Sequence, residues 1–388
     1  MKEKGDETMQ SENKLEFTLK KSLGINLARA KFIASFITAL LIVQTVKLTR
    51  ISNSMDGEAN TDSKYKRCQR FFRFFSFDFT KLSKFLFDLY PGDKNNVILA
   101  LDRTNWKFGK VDINILMLSI TYDGIAFPIM WKILDNKGGA SSTYDRIQIL
   151  EDFVNVFGKD IIKCILCDRE FIGKEWVYYL KYVAKINFRI RVKEKEVINK
   201  KNGQMAPLKN FFRNIRPGEE KILDGKRTLW GLQVFAACVK SPLGELVIII
   251  TDDEVYSALS DYACRWEIES LFKCFKTSGF NLEDTHLTQT DKINNLLGIV
   301  SIGFTWAYLT GELECEKRPI KIKSHGRKEK SVFKVGLDYL HRILLHKWKY
   351  TKEYIEIIVI LCKCPTSYGC LSNNGSAPPE GLPDELVG

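Results

Sequence analysis

The chain has 388 residues, of which 45% are hydrophobic, 12% aromatic and 27% charged. That is a globular composition, longer than one typical domain and with ample material for a core. Lys and Arg number 59 against 47 for Asp and Glu, a formal charge of +12; the excess fits a polyanionic partner, since cations near phosphates release condensed counterions, although a merely basic surface has the same balance.

Met1 to Glu16 is polar and mixed in charge, without the basic start and apolar stretch of a secretory signal. From there to about Leu89 the pattern is helical and basic, with Lys20 to Leu48 reading as one or two packed helices. The apolar run Phe32 to Val46 contains Ser35, Thr38 and Gln44 and falls short of the roughly 20 residues that span a bilayer, so a core helix is expected. Ser52 to Ser63 reads as a loop. In Lys64 to Phe75 cations interleave with aromatics. On a helix the cations could meet phosphates while the aromatics anchor the core, or the face could simply be solvated. Residues 1–90 are therefore expected to be a helical N-terminal region, closed by Pro91-Gly92-Asp93.

From Asn96 the pattern changes to strands. Val97 to Asp102 is an apolar run ending in a carboxylate, Ile113 to Tyr122 is a second, and Asp123-Gly124 is a hairpin turn signal before Ile125 to Ile133. Ser141-Ser142-Thr143 can cap a helix that Gly158 ends. Ile161 to Cys167 is a strand, again ending in a carboxylate, Asp168. Lys174 to Ala184 reads as a helix and Asn187 to Lys193 as a strand. The fold class is α/β with a mixed sheet, and two strands deliver Asp102 and Asp168 at their C-terminal ends, where sites form in open sheets. Residues 91–193 are the first part of this core. Residues 194–255, with strands at Leu229 to Cys238 and Glu245 to Thr251, read as a β-rich insertion.

A long helix is expected from Ser257 to about Thr277, and an apolar one from Ile293 to Leu309. Residues 256–350 complete the core, with a basic segment at Lys317 to Lys334. Residues 351–388 form a tail, rich in Gly, Pro and Ser from Pro365 and expected to be partly disordered. The ten cysteines and four histidines do not suggest zinc. Cys164 and Cys167 lie in a strand-like run, and Cys362, Cys364 and Cys370 have no neighbouring histidine, so reduced, cytosolic thiols are expected.

The most informative stretch is Tyr262 to Lys276. At about 100° per residue, Tyr262, Arg265, Glu269 and Lys276 fall within one narrow arc of a helix, with Trp266 beside it. Cys264, Ile268, Leu271, Phe272 and Phe275 gather on the other side as a buried face. A carboxylate among phosphate-binding groups suits phosphodiester chemistry, in which carboxylates hold two divalent cations and Tyr, Arg and Lys grip phosphates. Trp266 could stack on an unstacked base. Taken singly, these residues also read as a solvated helix face with an ordinary ion pair.

Tyr262-x2-Arg265-x3-Glu269-x6-Lys276 resembles, without a gap, the Y-x2-R-x3-E-x6-K signature of the DDE transposases of bacterial insertion-sequence family four. Leu101-Asp102-Arg103-Thr104 looks like that family's first-aspartate motif and Cys167-Asp168-Arg169-Glu170-Phe171 like its second. His325-Gly326-Arg327-Lys328 and Gly336-Leu337-Asp338 resemble its downstream block. The resemblance covers about Val97 to Leu345.

The resemblance implies an RNase H-like core interrupted by the β-rich insertion, with Asp102, Asp168 and Glu269 as the catalytic and metal-binding triad for two Mg²⁺ ions, Mn²⁺ being a substitute. It implies that Tyr262, Arg265 and Lys276 hold the DNA end near its 5′ phosphate and that Trp266 probes a base. Trp230 is a candidate for stacking on a flipped base. Arg189 and Arg191, two apart on one strand, share a face and are candidates for DNA contact. The expected partners are double-stranded DNA, as terminal inverted repeats bound by the N-terminal region and as target, and a second copy in a synaptic homodimer. The expected course is cleavage, a hairpin and strand transfer, in a bacterial cytoplasm. The alternatives are an inactive relic that only binds DNA and another RNase H-like nuclease such as a resolvase.

Overall fold

Five helices come first: α1 (Lys2–Leu23), α2 (Leu27–Val43), α3 (Leu48–Ser54), α4 (Thr61–Phe74) and α5 (Phe79–Leu89). Side-chain oxygens of Asn26, Asn60 and Asp78 accept amides in the first turns of α2, α4 and α5, caps worth about 1 kcal/mol each. The strands β1 (Val97–Phe108), β2 (Val111–Tyr122) and β3 (Ile125–Ile133) follow, then α6 (Thr143–Phe157), β4 (Ile162–Cys167) and α7 (Lys174–Tyr178). Beyond α7 the expected helix continues as a π-helical segment, Tyr179–Ala184. Next come β5 (Phe188–Val192), β6 (Val197–Asn199), β7 (Met205–Pro207), α8 (Lys209–Phe212), β8 (Glu220–Ile222), β9 (Arg227–Leu229), β10 (Leu232–Lys240) and β11 (Leu246–Thr251). The chain closes with α9 (Ala258–Ala263), α10 (Trp266–Phe275), α11 (Thr290–Lys317), α12 (Val332–Leu345) and α13 (Thr351–Cys362).

The structure, a computed structural model, describes residues 2–135, 139–324 and 326–362, and only the backbone of residues 2–6 and 8. His325 and the tail with Cys364, Pro365 and Cys370 lie outside the described residues. The chain divides into two compact units. Among the described residues, one holds residues 2–91, 105–113 and 271–362; the other holds residues 92–104 and 114–270.

The first unit is helical. Its centre is α11, with residues from Ile293 to Gly311 buried almost without interruption. Asn295 on α11 donates to Phe75 O at 2.6 Å and accepts from Phe77 N at 3.2 Å, fixing the α4–α5 link. Trp306 Nε1 donates to Ile357 O on α13 at 2.8 Å. Glycines let α11 and α12 nearly touch: a Cβ on Gly336 would stand 1.8 Å from Ala307 O and 2.4 Å from Gly311 N. The Gly336-Leu337-Asp338 motif thus has a packing reason. The apolar run Phe32 to Val46 supplies α2, whose Phe32, Ile33, Phe36, Ile37 and Leu40 are buried, as expected of a core helix. Among the described residues α11 is long and apolar enough to cross a membrane, as are α1 and α2 taken together across a 115° bend. However, 83% of α11's apolar window is buried inside the protein. On α4, Cys68, Phe71 and Phe72 are buried while Lys66, Arg67, Arg70 and Arg73 are exposed, so the interleaved pattern sorts into an aromatic inner face and a cationic outer one.

The second unit is built on a sheet of order β3-β2-β1-β4-β5-β11-β10-β9-β6-β7, with β8 on β10. The pairs β1/β4 and β4/β5 are parallel; β2/β3, β5/β11 and β10/β11 are antiparallel. The Asp123-Gly124 turn forms as expected, with φ of 41° and 83°. Ser142 caps α6 in a capping box with Asp145, and Gly158 ends the helix. The segment 194–255 is rich in strands, and β11 pairs with β5 through Ile248, Ile249 and Ile250, so it adds to the central sheet. One expectation needs correction: the single helix expected over Ser257 to Thr277 is two helices, broken at Cys264 and Arg265.

Candidate active site

Register brings the first two carboxylates together. Leu101 on β1 stands opposite Cys167 on the parallel strand β4, so Asp102 and Asp168 follow on adjacent strands, which lie about 4.8 Å apart. Asp168 follows the last residue of β4, as the sequence suggested. Asp102 does not end its strand: β1 runs on to Phe108 beside β2 in the sheet. A bidentate Arg103 fork, with Nε to Glu170 Oε1 at 3.1 Å and Nη2 to Glu170 Oε2 at 3.3 Å, ties the two aspartate motifs to each other. Its Nη1 reaches Asn114 Oδ1 on β2 at 2.9 Å. Arg146, buried on α6, donates to the carbonyls of Ser141, Glu170 and Ile172 and lies over the Phe171 ring. It thereby holds the turn that follows Asp168. The sequence reading missed Arg103, Glu170 and Arg146 as working residues. The first two stood in its own motifs, one and two residues after the aspartates.

The third carboxylate arrives on α10. Between α9 and α10 the backbone bonds tighten to i→i−3: Arg265 N to Tyr262 O at 2.9 Å and Glu267 N to Cys264 O at 3.1 Å. Despite this break, Tyr262, Arg265 and Glu269 still face the aspartates. Tyr262 Oη donates to Asp168 Oδ1 at 3.2 Å. Arg265 Nη1 donates to Asp102 Oδ2 at 3.1 Å and Nη2 to Glu269 Oε1 at 2.8 Å. The arginine side chain is 3% exposed, and its guanidinium lies over the half-buried Trp266 ring at 4.9 Å. The Trp266 indole N–H is buried and has no partner among the described residues. Tyr262 also packs, with Leu259 and Ala258 of α9, on Ala237, Val239, Val247 and Ile249 of β10 and β11. The strands expected to form an insertion are therefore the floor beneath the signature tyrosine.

Burial pushes the Asp102 carboxyl up to about 7, with Asp168 and Glu170 adding to it, although Arg265 and the Arg103 amide pull it down. Burial also raises the Tyr262 hydroxyl well above the usual phenol range. Burial alone would lower Arg265, but Tyr262, Asp168, Asp102 and Glu269 outweigh it and hold the cation. Among the described residues no three His, Cys, Asp or Glu side chains stand close enough together to chelate a metal as they are. The Arg265 cation instead bridges two of the three carboxylates. The donors themselves fit a hard divalent ion: Asp102, Asp168 and Glu269 offer only oxygen. Burial pushes the thiols of Cys164 and Cys167 on β4 up to about 12.

The remaining expected residues are placed differently. Lys276 lies in the helical unit, where Nζ donates to Asn105 O at 3.2 Å and pairs with Glu283 at 2.7 Å. Arg189 is fully buried and does not present itself for contact. Its guanidinium pairs with Asp261 at 3.0 Å, bonds Thr251 Oγ1 at 2.7 Å and reaches Glu254 at 3.3 Å, fixing the start of α9 on the sheet. Arg191, also buried, pairs with Glu245 beside a cavity of about 380 Å³ lined by Arg169, Lys193, Lys195 and Lys209. Trp230 is half-buried in the β9–β10 turn, and its Nε1 donates to Glu196 Oε2 at 2.9 Å. Glu267, which the sequence reading passed over, accepts from Tyr122 N at 2.6 Å and Gly124 N at 3.0 Å. Burial pushes it up to about 7 against the pull of those amides.

A family profile described as a transposase DDE domain matches residues 93–306, more than half of the chain. Among solved structures the chain is similar to a piggyBac transposase in a synaptic complex with hairpin DNA, determined by cryo-electron microscopy. The identity is 15%, over 89% of this chain and 79% of that one, with a TM-score of 0.41. No curated protein matches the chain.

Proposed function

Because the chain belongs to the family of transposase DDE domains, we propose that it is a cut-and-paste DNA transposase of bacterial insertion-sequence family four with Asp102, Asp168 and Glu269 as its catalytic triad. The observation that carries this reading is the convergence of Asp102 from β1 and Glu269 from α10 on one guanidinium, that of Arg265, with Asp168 at the end of the neighbouring strand β4 bonded by the Tyr262 hydroxyl. In this reading the strand order β3-β2-β1-β4-β5 is an RNase H-like core. The triad holds two Mg²⁺ ions, or Mn²⁺, and bound there they supply Lewis acidity for attacking and leaving oxygens.

The protein's own groups then bind and orient DNA. Arg265 and Tyr262 grip the phosphate at the cleaved end, and Lys276 grips the strand beyond it. Trp266 and Trp230 stack on displaced bases. The exposed cations of α4 (Lys66, Arg67, Arg70 and Arg73) contact the backbone of the terminal inverted repeats. The reaction runs from hydrolysis of one strand at the element end, through attack of the freed 3′ hydroxyl on the opposite strand, which breaks that phosphodiester, releases the flanking DNA and leaves a hairpin, and hydrolysis of the hairpin by a second water, to attack of the 3′ hydroxyls on target phosphodiesters. It takes place in the cytoplasm, with a second copy in the synaptic complex.

The test is strand cleavage and joining of DNA carrying the element's ends, with Mg²⁺ or Mn²⁺, in wild type and Glu269→Ala. Metal-dependent cutting that vanishes in the variant supports the reading. Binding without cutting in both proteins leaves a DNA-binding relic, and cutting without joining points to a nuclease such as a resolvase.

A further inference from the structure

α9 and α10 carry the signature residues, yet no continuous helix joins them. Cys264, Arg265, Glu267 and Ile268 all donate i→i−3, at 3.1, 2.9, 3.1 and 3.2 Å. α9 is fixed from below, through Asp261 to Lys163 at 2.8 Å and Arg189 at 3.0 Å, and through Tyr262 on the sheet. With i→i−3 bonds in place of a regular helical ladder between Ala263 and Trp266, the placing of α10 rests also on contacts of its own first turn, where Ile268 is buried.

We propose that Glu267 is the positioning residue for Glu269, pinning the first turn of α10 to the amides of the β2–β3 turn. Its carboxylate accepts two backbone N–H groups from another element, Tyr122 N at 2.6 Å and Gly124 N at 3.0 Å. A carboxylate held at two points fixes both position and rotation of the helical turn that bears it. Residues i and i+2 on a helix point about 200° apart. Glu267 therefore faces the hairpin while Glu269 faces Arg265, and the two carboxylates cannot exchange roles. The hairpin it grips belongs to the sheet whose β1 bears Asp102. The anchor thus relates the third carboxylate to the first through the sheet. An acidic residue in a first turn commonly serves only the helix dipole; here the acceptor is spent on amides of a different element, which the dipole does not require. The role assigned to Glu267 rests on the transposase reading of Glu269.

The experiment compares wild type, Glu267→Ala, Glu267→Gln and Asp78→Ala. The last removes the cap of α5 in the helical unit and serves as a stability control. Three quantities are read: hydrogen exchange of the segments 264–270 and 120–126, Mn²⁺ affinity by electron paramagnetic resonance, and kcat and KM on the DNA ends. For Glu267→Ala we expect faster exchange in both segments alone, about tenfold weaker Mn²⁺ binding and about tenfold to a hundredfold lower kcat, with KM unchanged. Glu267→Gln keeps one acceptor and recovers part of each. Asp78→Ala lowers the melting temperature but leaves Mn²⁺ affinity and kcat in place. Wild-type exchange in both segments of a folded Glu267→Ala overturns the anchor. Wild-type Mn²⁺ affinity and kcat with faster exchange also overturn the positioning role and leave a merely structural one. A wild type whose Mn²⁺ binding is indifferent to Asp102→Asn defeats the transposase reading instead, and the anchor is then decided by exchange alone.

Discussion

Arg265 donates to Asp102 at 3.1 Å through one terminal nitrogen and to Glu269 at 2.8 Å through the other, so one buried cation holds two carboxylates from different elements. Removing one partner of a buried ion pair costs about 3–5 kcal/mol, because the remaining charges lose their compensation. Arg265→Ala should therefore melt well below wild type without metal. A divalent cation would then meet two unpaired carboxylates. Thermal melts with and without Mn²⁺ should show a larger stabilisation by metal in Arg265→Ala than in wild type, as linkage to a tighter site requires. Equal shifts in the two proteins would mean that the guanidinium does not stand in the cation's place.

Arg189, expected as a candidate for DNA contact, is paired inside the fold. It is fully buried against Asp261, Thr251 and Glu254. Arg189→Ala should lose about 3–5 kcal/mol in urea unfolding, since Asp261 would be left without one of its two cations. Binding of the folded variant to DNA ends should match wild type. A folded Arg189→Ala that binds ends much more weakly would restore the contact role.

These two arginines mark where the sequence was readable and where it was not. The alternation and turn signals from Val97 to Ile133 located the first hairpins because one residue pattern and one Asp-Gly pair suffice for them. Asp102 and Asp168 stood out as carboxylates ending apolar runs and Glu269 as the carboxylate of a helical signature, and the resemblance grouped the three. What stayed hidden depends on pairing at long range. That β11 joins β5 is decided by Ile248, Ile249 and Ile250 meeting Val192, Arg191 and Ile190, and an apolar run does not name its neighbour. The inward direction of Arg189 follows from Asp261, distant in sequence. The break at Arg265 is invisible to a periodicity argument, because Tyr262, Arg265 and Glu269 keep their facing across it.

The capping box of α6 gives a pH-dependent prediction. Burial alone would raise the Asp145 carboxyl, but bonds from Ser142 and Lys132 outweigh it and hold it below its ordinary value of 3.8. A carboxyl depressed in the folded state binds fewer protons there than in the unfolded chain. Its stabilisation is therefore full above about pH 4 and is lost as pH falls through the folded pKa. Asp145→Asn should be about 1 kcal/mol less stable than wild type at pH 7, a typical capping loss. The gap measured by urea unfolding should close as pH drops below about 4. A gap that is constant with pH would assign the effect to packing.

Trp230 offers the sharpest separation of stability from function. With Gly231 it makes the two-residue turn between β9 and β10, at φ of 53° and 83°. Glycine or asparagine suits the first of those positions; a tryptophan there carries about 1–2 kcal/mol of left-handed strain. In return Nε1 donates to Glu196 at 2.9 Å, worth about 1 kcal/mol. Trp230→Gly relieves the strain and loses the bond, so its unfolding free energy should stay within about 1 kcal/mol of wild type. A ring that stacks on a displaced base contributes about 1–3 kcal/mol, so cleavage of DNA ends by the same variant should fall about tenfold or more at subsaturating DNA. Large destabilisation with unchanged cleavage per folded molecule would make Trp230 a packing residue, with its strain compensated by the fold alone.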